Sequence, residues 1–319
     1  MDDTLKKAAH VTLVDCLGLK KGDAAVVVTD PPTSEVGEAL FYAAGNAGAE
    51  PLLAMMPTRK ISGEEPPEAV TELMKSCNVL VLATKRSLSH TDSRRAATRG
   101  GVRAASMPGI TAEIMARTMS ADYREIAART DRLIRRLEGA EQLYVTTPAG
   151  TDITLNVCGK EFDGDTGILT EPGSFGNLPA GEACTGLTLE GTTGTAVFDG
   201  SFADIGVLKN AVEVKFENGF AVKIEGGAEA AMLESALDGT GPAARQIAEI
   251  GIGTNDKARV TGVVLEDEKA MGTIHLALGN DVGFGGSNDV PLHLDGVIRT
   301  PTVKTDTDVT ILDNGELVI

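Results

Sequence analysis

The sequence predicts an α/β N-terminal domain with a mainly parallel sheet, followed by an α+β C-terminal domain with largely antiparallel strands. Three observations predict it. Through residues 1–138, short apolar runs bounded by turn residues alternate with segments of helical spacing, the pattern of strand–helix–strand units. After Gly139 the chain becomes rich in Gly and Thr with short β-like runs. Between two of those runs lies Asn218-Gly219, a strong hairpin signal. The expected domains are 1–138 and 139–319.

The first domain reads as follows. Leu5, Ala9, Leu13, Cys16 and Leu17 have helical spacing, closed by Gly18. Ala24–Val28 is a continuous apolar run between two aspartates, as in a strand buried on both faces. A helix over Ser34–Ala44, with Gly45 to close it, leads to a strand at Pro51–Met56. Helices at Pro67–Ser76 and His90–Thr98 flank a strand at Val79–Ala83. A strand at Val102–Met107, a helix from Thr111 and a long basic helix over Tyr123–Leu137 complete the domain. The second domain should carry strands at Leu143–Thr147, Ile153–Val157, Gly194–Phe198, Val212–Phe216 and Phe220–Ile224. Helices are expected at Ala228–Leu237 and Ala243–Glu249, and later strands at Val260–Leu265, Thr273–Leu278, Leu292–Ile298 and Val309–Leu312.

With 319 residues, 42% hydrophobic and 24% charged, the chain can bury a sizeable core without disulfides. Aromatics are only 3%, with no Trp, so aliphatic side chains must fill that core. A net charge of −17 repels phosphate backbones and argues against nucleic-acid binding. Cys16, Cys77, Cys158 and Cys184 form no CxxC pair, so free thiols in a reducing, cytoplasmic compartment are expected. The N-terminus lacks a basic region followed by an apolar run. No uncharged stretch approaches the ~20 residues of a membrane helix.

The histidines concentrate the chemistry. Only four are present, His10, His90, His275 and His293, and the last two lie close together in the second domain. In Ile274–Gly279 the apolar Ile274, Leu276 and Leu278 share one strand face. His275 then points the other way, beside the small Ala277 and Gly279. His293 and Asp295, two apart, project from one face of their own strand. An imidazole beside a carboxylate can chelate a divalent metal. The plainer alternative is a hydrogen-bonded His–Asp pair. Glu182 lies in a turn-rich segment that would place its carboxylate on a loop. Glu249 sits at the end of the expected short helix, within an apolar, glycine-rich stretch. An acid is disfavoured at a helix C-terminus and costly to bury unpaired. Glu266-Asp267-Glu268 reads as a solvated turn. Ser89, His90, Arg94, Arg95 and Arg99 read as a solvated helix face, with a cleft-facing Arg as the alternative.

These segments resemble the aminopeptidase T family of metallopeptidases, often labelled leucyl aminopeptidases. The matching text is NLPAGE at 177–182, AEIGIGTN at 248–255, GTIHLALGN at 272–280 and HLD at 293–295, in the same order. The resemblance implies metal ligation by Glu182, Glu249, His275, His293 and Asp295, with Glu182 and Glu249 as catalytic carboxylates. It also implies a dimer or other homo-oligomer acting on a short peptide or other small molecule. Two ions of zinc, cobalt or manganese would activate a water for peptide or amide hydrolysis. The family carries a Tyr shortly after the histidine aligned with His275. Here Leu278–Phe284 contains none. A related branch resembles 2,5-dihydroxypyridine 5,6-dioxygenase, which holds ferrous iron on two histidines and one Asp. Here those would be His275, His293 and Asp295, leaving open positions for oxygen and a ring diol. Expected first is an aminopeptidase-like hydrolase, since five ligands suit two metals better than one. The ring-cleaving dioxygenase comes second and a non-catalytic ligand-binding relative third.

Overall fold

The computed structural model describes residues 2–319. Two compact units emerge, Met1–Ala127 with Thr166–Ala180, and Ala128–Asp165 with Gly181–Ile319. The first unit alternates helices and strands, beginning with α1 (Asp3–His10), which runs on into a π-helical turn at Val11–Cys16. Then come β1 (Ala24–Thr29), α2 (Ser34–Asn46), β2 (Glu50–Met55), α3 (Glu68–Lys75) and β3 (Val79–Ala83). They are followed by α4 (Asp92–Arg99), β4 (Arg103–Ser106) and α5 (Ala112–Thr118), and, after an excursion into the second unit, β5 (Phe175–Asn177). The five strands form one sheet in the order β2-β1-β3-β4-β5, every pairing parallel. β3 is apolar and wholly buried, as befits a parallel strand covered on both faces. Pro51, which lacks an amide proton, falls on the edge strand β2. Thr91 and Thr111 cap α4 and α5 by accepting the Arg94 and Ile114 amides. The basic helix α6 spans Tyr123–Leu137, as its spacing predicts.

The second unit holds two antiparallel sheets of eight and seven strands. In the larger, Val212–Glu217 and Phe220–Glu225 form the expected hairpin. Its turn residues Asn218 and Gly219 both have positive φ, 45° and 76°, as a primed turn requires. Four neighbouring strands of the smaller sheet matter most: β6 (Glu182–Gly186), β7 (Ile247–Gly253), β8 (Ile274–Gly279) and β9 (His293–Ile298). Ala183, Ile250, Ile252, Ile274, Leu276, Leu278, Leu294 and Ile298 from these strands belong to one core with Phe198, Phe202 and Leu233. Leu233 comes from α7 (Ala228–Thr240).

An expected helix and an expected strand take other forms. The helix expected over 243–249 is a 3-10 turn at Pro242–Arg245 followed by β7. Helical spacing there is outweighed by pairing on both sides, with β8 and with β6, and by alternate burial of Ile250 and Ile252 in the core. Glu249 is therefore a mid-strand residue. The strand expected over 260–265 is a closed loop leading into a helical turn at Val264–Asp267. The Asp267 carboxylate accepts the amides of Thr261 and Gly262 at 2.7 and 2.8 Å and folds the segment back on itself.

Candidate metal centre

Side chains directly opposite one another in an antiparallel sheet share a face and stand roughly 5 Å apart. The register sets Gly253 against Glu182, and Gly251 against both Cys184 and His275. It sets Glu249 against Gly186 and Ala277, Ala277 against Asp295, and Gly279 against His293. One face of β6–β9 thus carries Glu182, Cys184, Glu249, His275, His293 and Asp295, interspersed with Gly and Ala, while the other face is core. Glu182 opens β6 rather than lying on a loop.

All five residues expected from the sequence come together. Glu249 lies between the two imidazoles, its Oε1 3.4 Å from His275 Nε2 and its Oε2 3.2 Å from His293 Nε2. Asp295 Oδ1 is 3.3 Å from the same His293 nitrogen. His275 Nδ1 is 3.8 Å from Glu182 Oε2. Both of those atoms are buried and have no hydrogen-bond partner among the described residues. His293 is oriented from behind: its Nδ1 donates to the Asn280 carbonyl at 2.8 Å, and Phe284 stacks on its ring at 6.0 Å. That leaves Nε2 facing two carboxylates. A Cβ at residue 251 would lie 2.0 Å from His275 Cε1, so only Gly leaves the ring its place.

Three groups of donor atoms lie within 4.8 Å of one another: Glu249, His293 and Asp295; Glu268, His275 and Asp295; and Glu182, Cys184 and Glu249. Burial resists charge on both imidazoles, yet the carboxylates outweigh it. His293 is pushed up to about 12 by Asp295 and Glu249, and His275 to about 10 by Glu249 and Glu182. Asp295 is held far below the usual carboxylate range, His293 overcoming its burial, and Glu249 is lowered by both histidines. Imidazole and carboxylate donors of this kind suit a divalent ion. His275 Nδ1, buried without a hydrogen-bond partner among the described residues, is an atom that a cation would satisfy. The residues present therefore fit a metal.

Sequence reasoning missed three neighbours. Cys184 shares the face of Glu182, which strand alternation would have revealed had 182–186 been read as a strand. Glu268 and Lys269 follow no periodic spacing. Their segment read as a solvated turn, but Glu266 and Asp267 are wholly buried. Ser201 donates to Asp267 at 2.6 Å, and Glu266 accepts the Arg259 amide. In the first unit, Arg94 is half-buried and directed inward. Its guanidinium lies 3.8 Å over the Phe175 ring, and its Nε donates to the Ser89 carbonyl.

A family model described as 2,5-dihydroxypyridine 5,6-dioxygenase matches residues 5–319. The fold is similar to that of 2,5-dihydroxypyridine dioxygenase from Pseudomonas putida KT2440, with TM-score 0.83 and 18% identity over 98% of this chain and 96% of that one. It is also similar to wild-type AmpT from Thermus thermophilus, with TM-score 0.72 and 18% identity over 99% of each chain. At such identity these likenesses speak to fold. No curated protein matches the chain. Among the described residues no helix is long and apolar enough to cross a membrane.

Proposed function

Because the chain belongs to the 2,5-dihydroxypyridine 5,6-dioxygenase family, we propose that it is a ring-cleaving dioxygenase acting on a dihydroxylated aromatic ring of the pyridine type. Family membership favours this over the peptide hydrolysis expected first from the sequence. A single ferrous ion held by His275, His293 and Asp295, with Glu249 between the two imidazoles, would supply oxygen activation. The chain's own residues do the rest. The Asn280 carbonyl holds the proton on His293 Nδ1 and the stacked Phe284 ring sets the imidazole plane, so that Nε2 turns inward. Gly251 leaves room for the His275 ring. Glu249 and Asp295 stay ionised at neutral pH and are hydrogen-bond acceptors for a ring hydroxyl. Leu278–Phe284 contains no tyrosine, so this stretch offers no phenol to stabilise an oxyanion.

The carrying observation is a family match over nearly the whole chain, joined to two imidazoles and an Asp carboxylate that meet around Glu249. The test is anaerobic purification, elemental analysis and a substrate screen. Iron-dependent oxygen uptake on 2,5-dihydroxypyridine, without release of amino acid from dipeptides, is the expected result. Dipeptide hydrolysis with two zinc, cobalt or manganese ions per chain would overturn the reading in favour of a metallo-aminopeptidase.

A further inference from the structure

Lys269 is a buried charge that ring cleavage does not use. Its side chain is 2% exposed, and Nζ lies 2.5 Å from Glu182 Oε1, 2.9 Å from Glu268 Oε1 and 3.5 Å from Asp165 Oδ2. An ammonium has three protons to donate, and three carboxylates face it. The residue is also tied through its backbone. Its amide donates to the Glu266 carbonyl at 3.0 Å, and its own carbonyl accepts the Asn255 amide at 2.9 Å. The charge is therefore fixed in place.

The carboxylates that Lys269 holds divide the donor groups. Glu182 belongs to the group with Cys184 and Glu249, and Glu268 to the group with His275 and Asp295. Only Glu249, His293 and Asp295 form a group with no carboxylate bound to the lysine. A divalent ion on Glu182 Oε2 would sit across one carboxylate from an ammonium, two like charges among buried side chains where solvent screening is weak.

We propose that Lys269 serves as a built-in monovalent cation in place of a second divalent ion, limiting this centre to one metal per chain. The proposal rests on the reading of the cluster as a metal centre, and not on which reaction that centre performs. Removing the charge while keeping the bulk, Lys269→Met, frees Glu182 and Glu268 and opens a second ion site. Lys269→Arg keeps the charge and keeps the site single.

Manganese(II) is a suitable probe, because bound and free ions are distinguished by electron paramagnetic resonance. The metal-free full-length chain is dialysed against excess manganese and bound metal is counted. One ion is expected in the wild type and in Lys269→Arg, and two, magnetically coupled, in Lys269→Met. Two ions in the wild type, or one in a folded Lys269→Met, would overturn the proposal. If Lys269→Met is unfolded without metal, recovery of the wild-type circular dichroism with two equivalents of manganese supports it. Failure to recover counts against it. No manganese bound to the wild type would sink the metal-centre reading as well, whereas one bound ion without oxygen uptake would sink only the ring-cleavage reading.

Discussion

β3 of the first unit and β8 of the second are equally buried, yet they use that burial differently. Every residue of Val79–Ala83 is apolar and fully buried, and Leu80 and Leu82 join a hydrocarbon core. Ile274–Gly279 is also buried throughout, but it gives one face to the core and the other to His275, Ala277 and Gly279. Depth alone thus does not mark a functional strand. What marks it is a hidden face that is polar and small at once, because polar groups out of water must find partners or a cation.

The comparison is broken most severely at the polar face. His293→Ala or Asp295→Ala should reduce metal affinity about a hundredfold or more, since losing only an outer partner of a ligand already costs about 10–100-fold. Unchanged metal content in both variants would show that the ion binds elsewhere. Leu80→Ala on β3 and Leu276→Ala on β8, each fully buried, should both cost about 2–5 kcal/mol of unfolding free energy in denaturant titrations. Leu276→Ala should leave metal stoichiometry alone if the two faces are independent. Gly251→Ala, whose new Cβ would collide with His275, should weaken metal binding about 10–100-fold by displacing the ring. Calorimetric titration would measure the loss.

Acidity sharpens the comparison further. A metal needs neutral imidazoles, and without it both histidines hold their protons well past neutrality, His275 to about 10. Divalent-ion affinity should therefore rise with pH from 6.5 towards 10, by about tenfold per unit for each proton displaced. Stability of the metal-free chain should move the opposite way. A raised histidine pKa contributes stability that is complete below the unfolded value of 6.5 and is lost as pH rises through about 10. Melting curves in chelator should fall over that interval, and flat curves would contradict the assigned pairing. The smallest effect belongs to Phe284→Leu, which removes the stacked ring behind His293 and should cost about 0.5–1.5 kcal/mol, read from metal affinity.

Much of this arrangement can be read from local pattern. The parallel sheet follows from apolar runs set between helices, and the pairing of His293 with Asp295 from a period of two. What local pattern does not carry is anything decided by a neighbour. Glu249 looks like the end of a helix until β6 and β8 are present on either side to pair with its segment. Glu268 and Lys269 look like a wet turn because only the folded chain places Glu182 and Asp165 around the ammonium. The two amide bonds from Thr261 and Gly262 to Asp267 that close the loop before them leave no periodic trace.

The glycines on the polar face decide how low its ceiling hangs. A methyl group at 253 would strike the Ala270 carbonyl, one at 279 the Leu292 carbonyl, and one at 186 Phe284. Two loops, 254–273 and 280–292, therefore rest directly on bare backbone at three points, and each point carries down a group the centre needs: Lys269, the approach to His293, and the aromatic ring behind that histidine. Adding a single carbon at 253 would lift the first loop and spare the second, whereas one at 186 or 279 would lift the second and spare the first. The spacing between this face and the loops above it is thus adjustable at three glycines, each by a change that substitutes no metal-binding side chain.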